Sequence, residues 1–155
     1  MTVTECNALL SEAFTLLPSS MDTPAARRML LAIGLQESRM VYREQIGGPA
    51  RGLWQFERTG GVIGVLNHPS TGEMADRVCD ALDVEPTIDS VYQTLATNDV
   101  LAACFARMLL WTDPAPLPLT AEQGWASYLR TWRPGKPHPH TWLGYWNLAG
   151  ESISD

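Results

Sequence analysis

Residues 23–40, TPAARRMLLAIGLQESRM, constrain the fold more than any other stretch. Thr23 followed by Pro24 is a helix start: a hydroxyl at the N-cap accepts a free backbone N–H, and proline's fixed φ suits the first helical position. From Ala25 to about Met40 the pattern predicts a helix that is apolar on most faces, with Met29, Leu30, Leu31, Ile33 and Leu35 spread around it. A helix without a polar face belongs in the centre of a core. Gly34 inside it costs about 1 kcal/mol relative to alanine, which points to close packing against another backbone. The helix then runs into a carboxylate, Glu37, and gives way to a loop carrying Gly47, Gly48, Pro49 and Gly52. A carboxylate among apolar neighbours costs free energy unless it is paired, hydrogen-bonded or protonated.

The remaining pattern is also helical. Leu9, Leu10, Ala13, Phe14 and Leu17 place an amphipathic helix over 4–17. Ser70 with Glu73 reads as a capping box opening a helix to about Leu82. The longest helical signal covers 88–112, with Val91, Leu95, Leu101, Cys104, Phe105 and Met108 on an apolar stripe. Pro114, Pro116 and Pro118 end it, and Thr120 with Gln123 reads as a second box, before a helix carrying Trp125, Tyr128, Leu129 and Trp132. RPGKPHPH, 133–140, is a turn, and Pro139 starts a last helix with Trp142, Tyr145 and Trp146, stopped by Gly150. Between the second helix and Ser70 the glycine-rich segment reads as loop or short irregular β structure. There Leu53, Gln55 and Glu57 alternate with Trp54 and Phe56; if extended, the aromatics share one face, and Gln55 shares the other with Glu57. The expected fold class is mainly α, α+β at most, in one domain spanning 1–155, with an irregular Gly-rich or short β excursion after the second helix.

Acidic residues outnumber basic ones 17 to 11, and no block of Lys and Arg follows one face, so the footprint of a nucleic-acid partner is missing. Cys6, Cys79 and Cys104 have no CxxC spacing and read as small buried hydrophobes of a reducing cytoplasm. The N-terminal stretch has no positively charged start, and acids interrupt its apolar residues. Neither a signal peptide nor a membrane-spanning run is expected.

Glu37 is the first candidate for chemistry. At the C-terminal end of a buried helix it meets the negative end of the helix dipole and apolar neighbours together, and both raise its pKa toward the range a general acid needs. The plainer alternative is a helix-end glutamate paired with Arg39 or Arg43, or solvated. Trp54 and Phe56 offer faces on which sugar rings stack, or form an ordinary core pair. Gln55 has the donor and acceptor that suit hydroxyls and acetamides. A retaining glycosidase needs a second carboxylate about 5 Å from the first, and an inverting one about 6.5–9.5 Å. Glu57 and Glu44 are candidates, Glu57 preferred for the face it should share with Gln55, each otherwise a solvated loop acid. Zinc chemistry needs converging ligands, but His68 stands apart, and His138 and His140 flank Pro139 in a polar turn; no metal or other cofactor is expected. Cys104 and Cys79 lie within helices, against the exposure a nucleophile requires.

QESR at 36–39 followed by GPARGLWQF at 48–56 resembles the signature of the soluble lytic transglycosylases, within the lysozyme-like superfamily. TLATNDVLAACFARMLL, 94–110, resembles that family's Asn-containing helix, and WASYLRTWRPGKP, 125–137, falls where its Ala-Tyr-Asn motif belongs. The resemblance covers about 24–137 and is specific in its first two motifs. It implies a lysozyme-like fold, Glu37 as catalytic acid/base, Ser38 and Gln55 in the cleft, and Tyr128 hydrogen-bonding near the carboxylate. It implies cleavage of the MurNAc–GlcNAc β-1,4 bond of peptidoglycan glycan strands, by a lytic transglycosylase or a muramidase. Compact phage-encoded relatives suggest a cytoplasmic product that reaches the cell wall with a holin or in a virion. Glu57-Arg58-Thr59 departs from the family's Met-Pro-x-Thr, and Leu129 replaces its asparagine. The rival expectation is a non-catalytic virion structural or glycan-docking protein that keeps the fold.

Overall fold

A computed structural model describes residues 1–153 and shows a mainly α protein. Its helices are α1 (Val3–Phe14), α2 (Pro24–Ser38), α3 (Ile63–Leu66), α4 (Gly72–Ala81), α5 (Ile88–Thr94), α6 (Asp99–Trp111), α7 (Ala121–Trp132) and α8 (Pro139–Glu151). None is long and apolar enough to cross a membrane. α2 is the central helix, packed against α8, α1 and α6. Met29, Leu30, Leu31, Ala32 and Ile33 are each at most 1% exposed, as a helix apolar on all sides requires. Thr23 caps it by accepting the Ala26 N–H at 3.1 Å, with Pro24 in the first turn. The helix stops at Ser38 because Arg39 and Met40 both turn left-handed, at φ 56° and 55°.

The excursion after α2 is not a strand. Residues 51–56 form a closed turn in which Arg51 and Phe56 exchange backbone hydrogen bonds of 2.8 and 2.9 Å. Gly52 and Gln55 sit at φ 80° and 54°, which extended backbone cannot supply. The expected alternation is therefore lost. Leu53, Trp54 and Phe56 are all buried, and the aromatics are core residues rather than sugar-stacking faces. Gly52 donates its N–H to the Arg43 carbonyl at 2.7 Å, and a Cβ there would lie 2.9 Å from the Leu95 carbonyl oxygen. Backbone cannot yield as a side chain can, so Gly52→Ala is expected to cost about 2 kcal/mol, read as a lower urea midpoint.

Other boundaries also move for local reasons. The expected helix over 88–112 is two, because the Asn98 side chain accepts the Leu101 N–H at 3.0 Å and begins α6 afresh. α4 starts at Gly72 without the Ser70–Glu73 box: Ser70 turns back to His68, and the Thr71 hydroxyl donates to the Val65 carbonyl. α1 ends at Phe14 rather than at 17. Thr120 caps α7 through the Gln123 N–H as expected, but the Gln123 side chain accepts from Leu119 instead of closing the box. Gly150 does not stop α8; it leaves room for the Arg28 guanidinium, which lies over Trp146 and donates to its carbonyl.

Candidate active site

Two anchors bring the glycine-rich turn to the end of α2. Ser38, 3% exposed, donates its hydroxyl to the Leu53 carbonyl at 2.6 Å and accepts the Met40 N–H at 3.1 Å. Trp54 donates its indole N–H to the Leu30 carbonyl at 2.8 Å, beside Gly34, where a Cβ would lie 3.2 Å from that nitrogen. The close approach at Gly34 is made by the side chains of Trp54 and Met40, and not by the other backbone that its position inside α2 had suggested. Ser38 thus does not face a cleft: its hydroxyl is occupied in clamping the turn to the helix.

Glu37 lies half-buried in the last turn of α2. Tyr128 of α7 donates its hydroxyl to Glu37 Oε1 at 2.6 Å. The phenol is held by its own packing: it is 3% exposed, stacks on Trp142 at 5.5 Å with planes 11° apart, and touches Trp125 at 5.4 Å. Neither arginine expected as an ion-pair partner fills that place. Arg43 is bound to Asp99 through two 2.8 Å hydrogen bonds, and Arg39 makes no ion pair with a described residue. Burial therefore pushes the Glu37 carboxyl up to about 7, against the lowering by the Tyr128 hydrogen bond and with help from the nearby Glu57 charge. Burial and the Glu37 carboxylate likewise push the Tyr128 phenol up, so it remains a donor at neutral pH.

The second acid whose charge acts on Glu37 is Glu57. Glu57 is exposed and lines a hollow of about 550 Å³ between residues 57–64 and the end of α7, where Arg130, Trp132 and Arg133 form the opposite wall. Glu37 is not part of that lining. Glu44 is turned toward Arg51 at 3.7 Å and exposed. Gln55 spends its amide N–H on the Gly52 carbonyl at 2.9 Å, closing the turn from within. Trp132, which the sequence places on the helix that carries Tyr128, joins the site: its indole N–H donates to the Trp54 carbonyl at 2.9 Å and its ring meets Phe56 edge-on. The signal was present, since Trp132 lies one helical turn beyond Tyr128 and shares its face.

The three thiols are buried and unpaired, and burial pushes them up to about 11, 11 and 12 for Cys6, Cys79 and Cys104. A nucleophilic cysteine needs the opposite shift. What the site contains is a carboxylic acid poised near neutrality, oriented by a phenol, and a second acid open to solvent. Set against protein-family models, curated proteins and solved structures, the chain matches none.

Tyr128→Phe removes the one hydrogen bond that favours the ionised form of Glu37, so the carboxyl pKa is expected to rise further. An NMR titration of the Glu37 carboxyl carbon in the variant reads this as a midpoint above that of the wild type.

Proposed function

We propose that the protein is a peptidoglycan-cleaving glycosidase of lysozyme-like fold, with Glu37 as general acid toward the MurNAc–GlcNAc β-1,4 bond. The observation that carries this reading is the Glu37–Tyr128 pair: a half-buried carboxyl raised to about 7, held by one 2.6 Å hydrogen bond and without a cationic partner. A structural acid gains from a cation or from water, whereas a general acid working near neutrality needs its proton retained and its orientation fixed. In this mechanism Glu37 gives its proton to the glycosidic oxygen as the bond breaks. The resulting carboxylate, stabilised by the Tyr128 hydroxyl, then accepts a proton from the incoming nucleophile.

The nucleophile decides the product. Attack by the sugar's own 6-hydroxyl requires one carboxyl and leaves a 1,6-anhydro end, the outcome the transglycosylase motif implies. Attack by water leaves a reducing end and gives Glu57 the role of second carboxylate. Digestion of purified peptidoglycan, with mass spectrometry of the released fragments, tests the reading. Anhydro or reducing ends both support glycosidic cleavage and divide it between the two chemistries. Intact strands after prolonged incubation overturn it.

One observation favours the second reading, a non-catalytic glycan-docking or virion structural protein. The 550 Å³ hollow is lined by Glu57 and not by Glu37, so a saccharide could lodge there away from the acid. Binding of glycan without any cut ends separates that reading from catalysis.

A further inference from the structure

Arg107 lies on α6, away from the residues assigned to catalysis, and is only 2% exposed. Burying a guanidinium is costly unless its donors are met, because the charge loses its hydration. Its side chain makes one hydrogen bond to a described residue, from Nε to the Met21 carbonyl at 2.9 Å, and Nη1 is buried without an acceptor. The Trp111 ring, 5.4 Å away, adds a cation–π contact. No carboxylate of a described residue forms an ion pair with it. Asp22, the acid whose charge acts on it, is held by Arg27 through hydrogen bonds of 2.7 and 3.0 Å. Desolvation accordingly pulls the Arg107 pKa down to about 10.

The same side chain borders a hollow of about 320 Å³ between the turn at Ser19–Met21 and the proline-rich segment after α6. Its other polar residues are Ser20 and Trp111, neither side chain hydrogen-bonded to a described residue, and Asp113. Asp113 is already satisfied by Ser127 at 2.6 Å, by Arg130 at 3.0 Å and by the Ala115 N–H. Arg107 and the Trp111 indole can only donate, whereas the Ser20 hydroxyl donates or accepts. Leu110, Ala115, Pro116 and Leu117 make the remaining wall apolar.

We propose that this hollow binds a small organic carboxylate, its anionic end against Arg107 and Ser20 and its short apolar part against Leu117 and Pro116. A carboxylate is acceptor-only and matches the planar fork of the guanidinium, and the Ser20 hydroxyl can donate to it. The volume is at the lower end of small-molecule pockets, which suits a short acid rather than a saccharide chain. Asp113 also borders the hollow that Glu57 lines, but Glu37, Tyr128 and Glu57 do not line this one, and either site can stand without the other.

The test is titration of the full chain with propionate, followed by the NMR signal of the Arg107 Nε–H. Saturable movement of that signal at millimolar propionate, with no response to the neutral propionamide, is expected. Ser20→Ala, an exposed change with little bearing on folding, is expected to weaken propionate binding about threefold, the worth of one partly exposed hydrogen bond. No saturable movement, or equal responses to propionate and propionamide, overturns the proposal. Saturation by inorganic phosphate but not by propionate overturns the organic-carboxylate assignment. Arg107→Lys gives a second check where it folds, since a point charge lacks the planar fork: unchanged propionate affinity in that variant contradicts the proposed geometry.

Discussion

Glu37→Gln is expected to slow peptidoglycan cleavage about a thousandfold, the middle of the range for loss of a general acid, or about 4 kcal/mol in the barrier. The fold should persist, because a glutamine carbonyl still accepts the Tyr128 hydroxyl that Glu37 Oε1 accepts at 2.6 Å. Release of soluble fragments from purified peptidoglycan, measured for both proteins at equal concentration, reads the effect. The amide keeps size, position and hydrogen bond and lacks only the transferable proton. A variant that cuts as fast as the wild type would remove Glu37 from the reaction.

The second large effect is on stability and has a defined sign. Glu37 rises from an ordinary value of 4.5 to about 7 in the folded protein. Between those pH values the folded state retains a proton that the unfolded chain releases. Stability therefore falls as pH rises through this window, by up to about 3 kcal/mol once pH exceeds the folded value. Below 4.5 both states are protonated and the effect vanishes. Glu37→Gln has no such loss, so the variant is expected to gain on the wild type by about that amount between pH 5 and pH 8. Urea unfolding of both proteins at the two pH values isolates the term, since other titrating groups largely cancel in the difference.

Local physics made much of this structure legible. Thr23-Pro24 announced the start of α2 and the spread of apolar residues announced its burial, while Gly34 announced a close approach but not that side chains, Trp54 and Met40, would make it. What stayed hidden depended on partners distant in sequence. The alternation at 53–57 fits a strand as well as it fits the observed turn; what decides is the left-handed backbone at Gly52 and Gln55, set by the Arg43 carbonyl and the approach of Leu95. Ser38 was expected in the cleft, but a hydroxyl placed opposite the Leu53 carbonyl is drawn inward. Asn98 carried its own warning: a short amide inside a helical run competes for backbone N–H groups, and here it caps α6 after α5 has ended at Thr94.

The candidate site divides the same way. Helix position and apolar surroundings were enough to single out Glu37, and the cause that dominates its raised pKa is burial, as that argument requires. Exclusion of Arg43 could not be foreseen, because its partner Asp99 lies 56 positions later. Tyr128 was singled out by the resemblance of its motif rather than by any local rule; its hydrogen bond to Glu37 spans 91 positions and depends on Trp142 and Trp125 to hold the ring.

The most direct test of the central claim is the titration of the Glu37 carboxyl carbon by NMR in the folded wild-type protein. A midpoint near 7 is the expected result, with the proton in place for transfer at neutral pH. A midpoint near 4.5 would contradict the account, because Glu37 would then be an ordinary ionised glutamate with no proton to give.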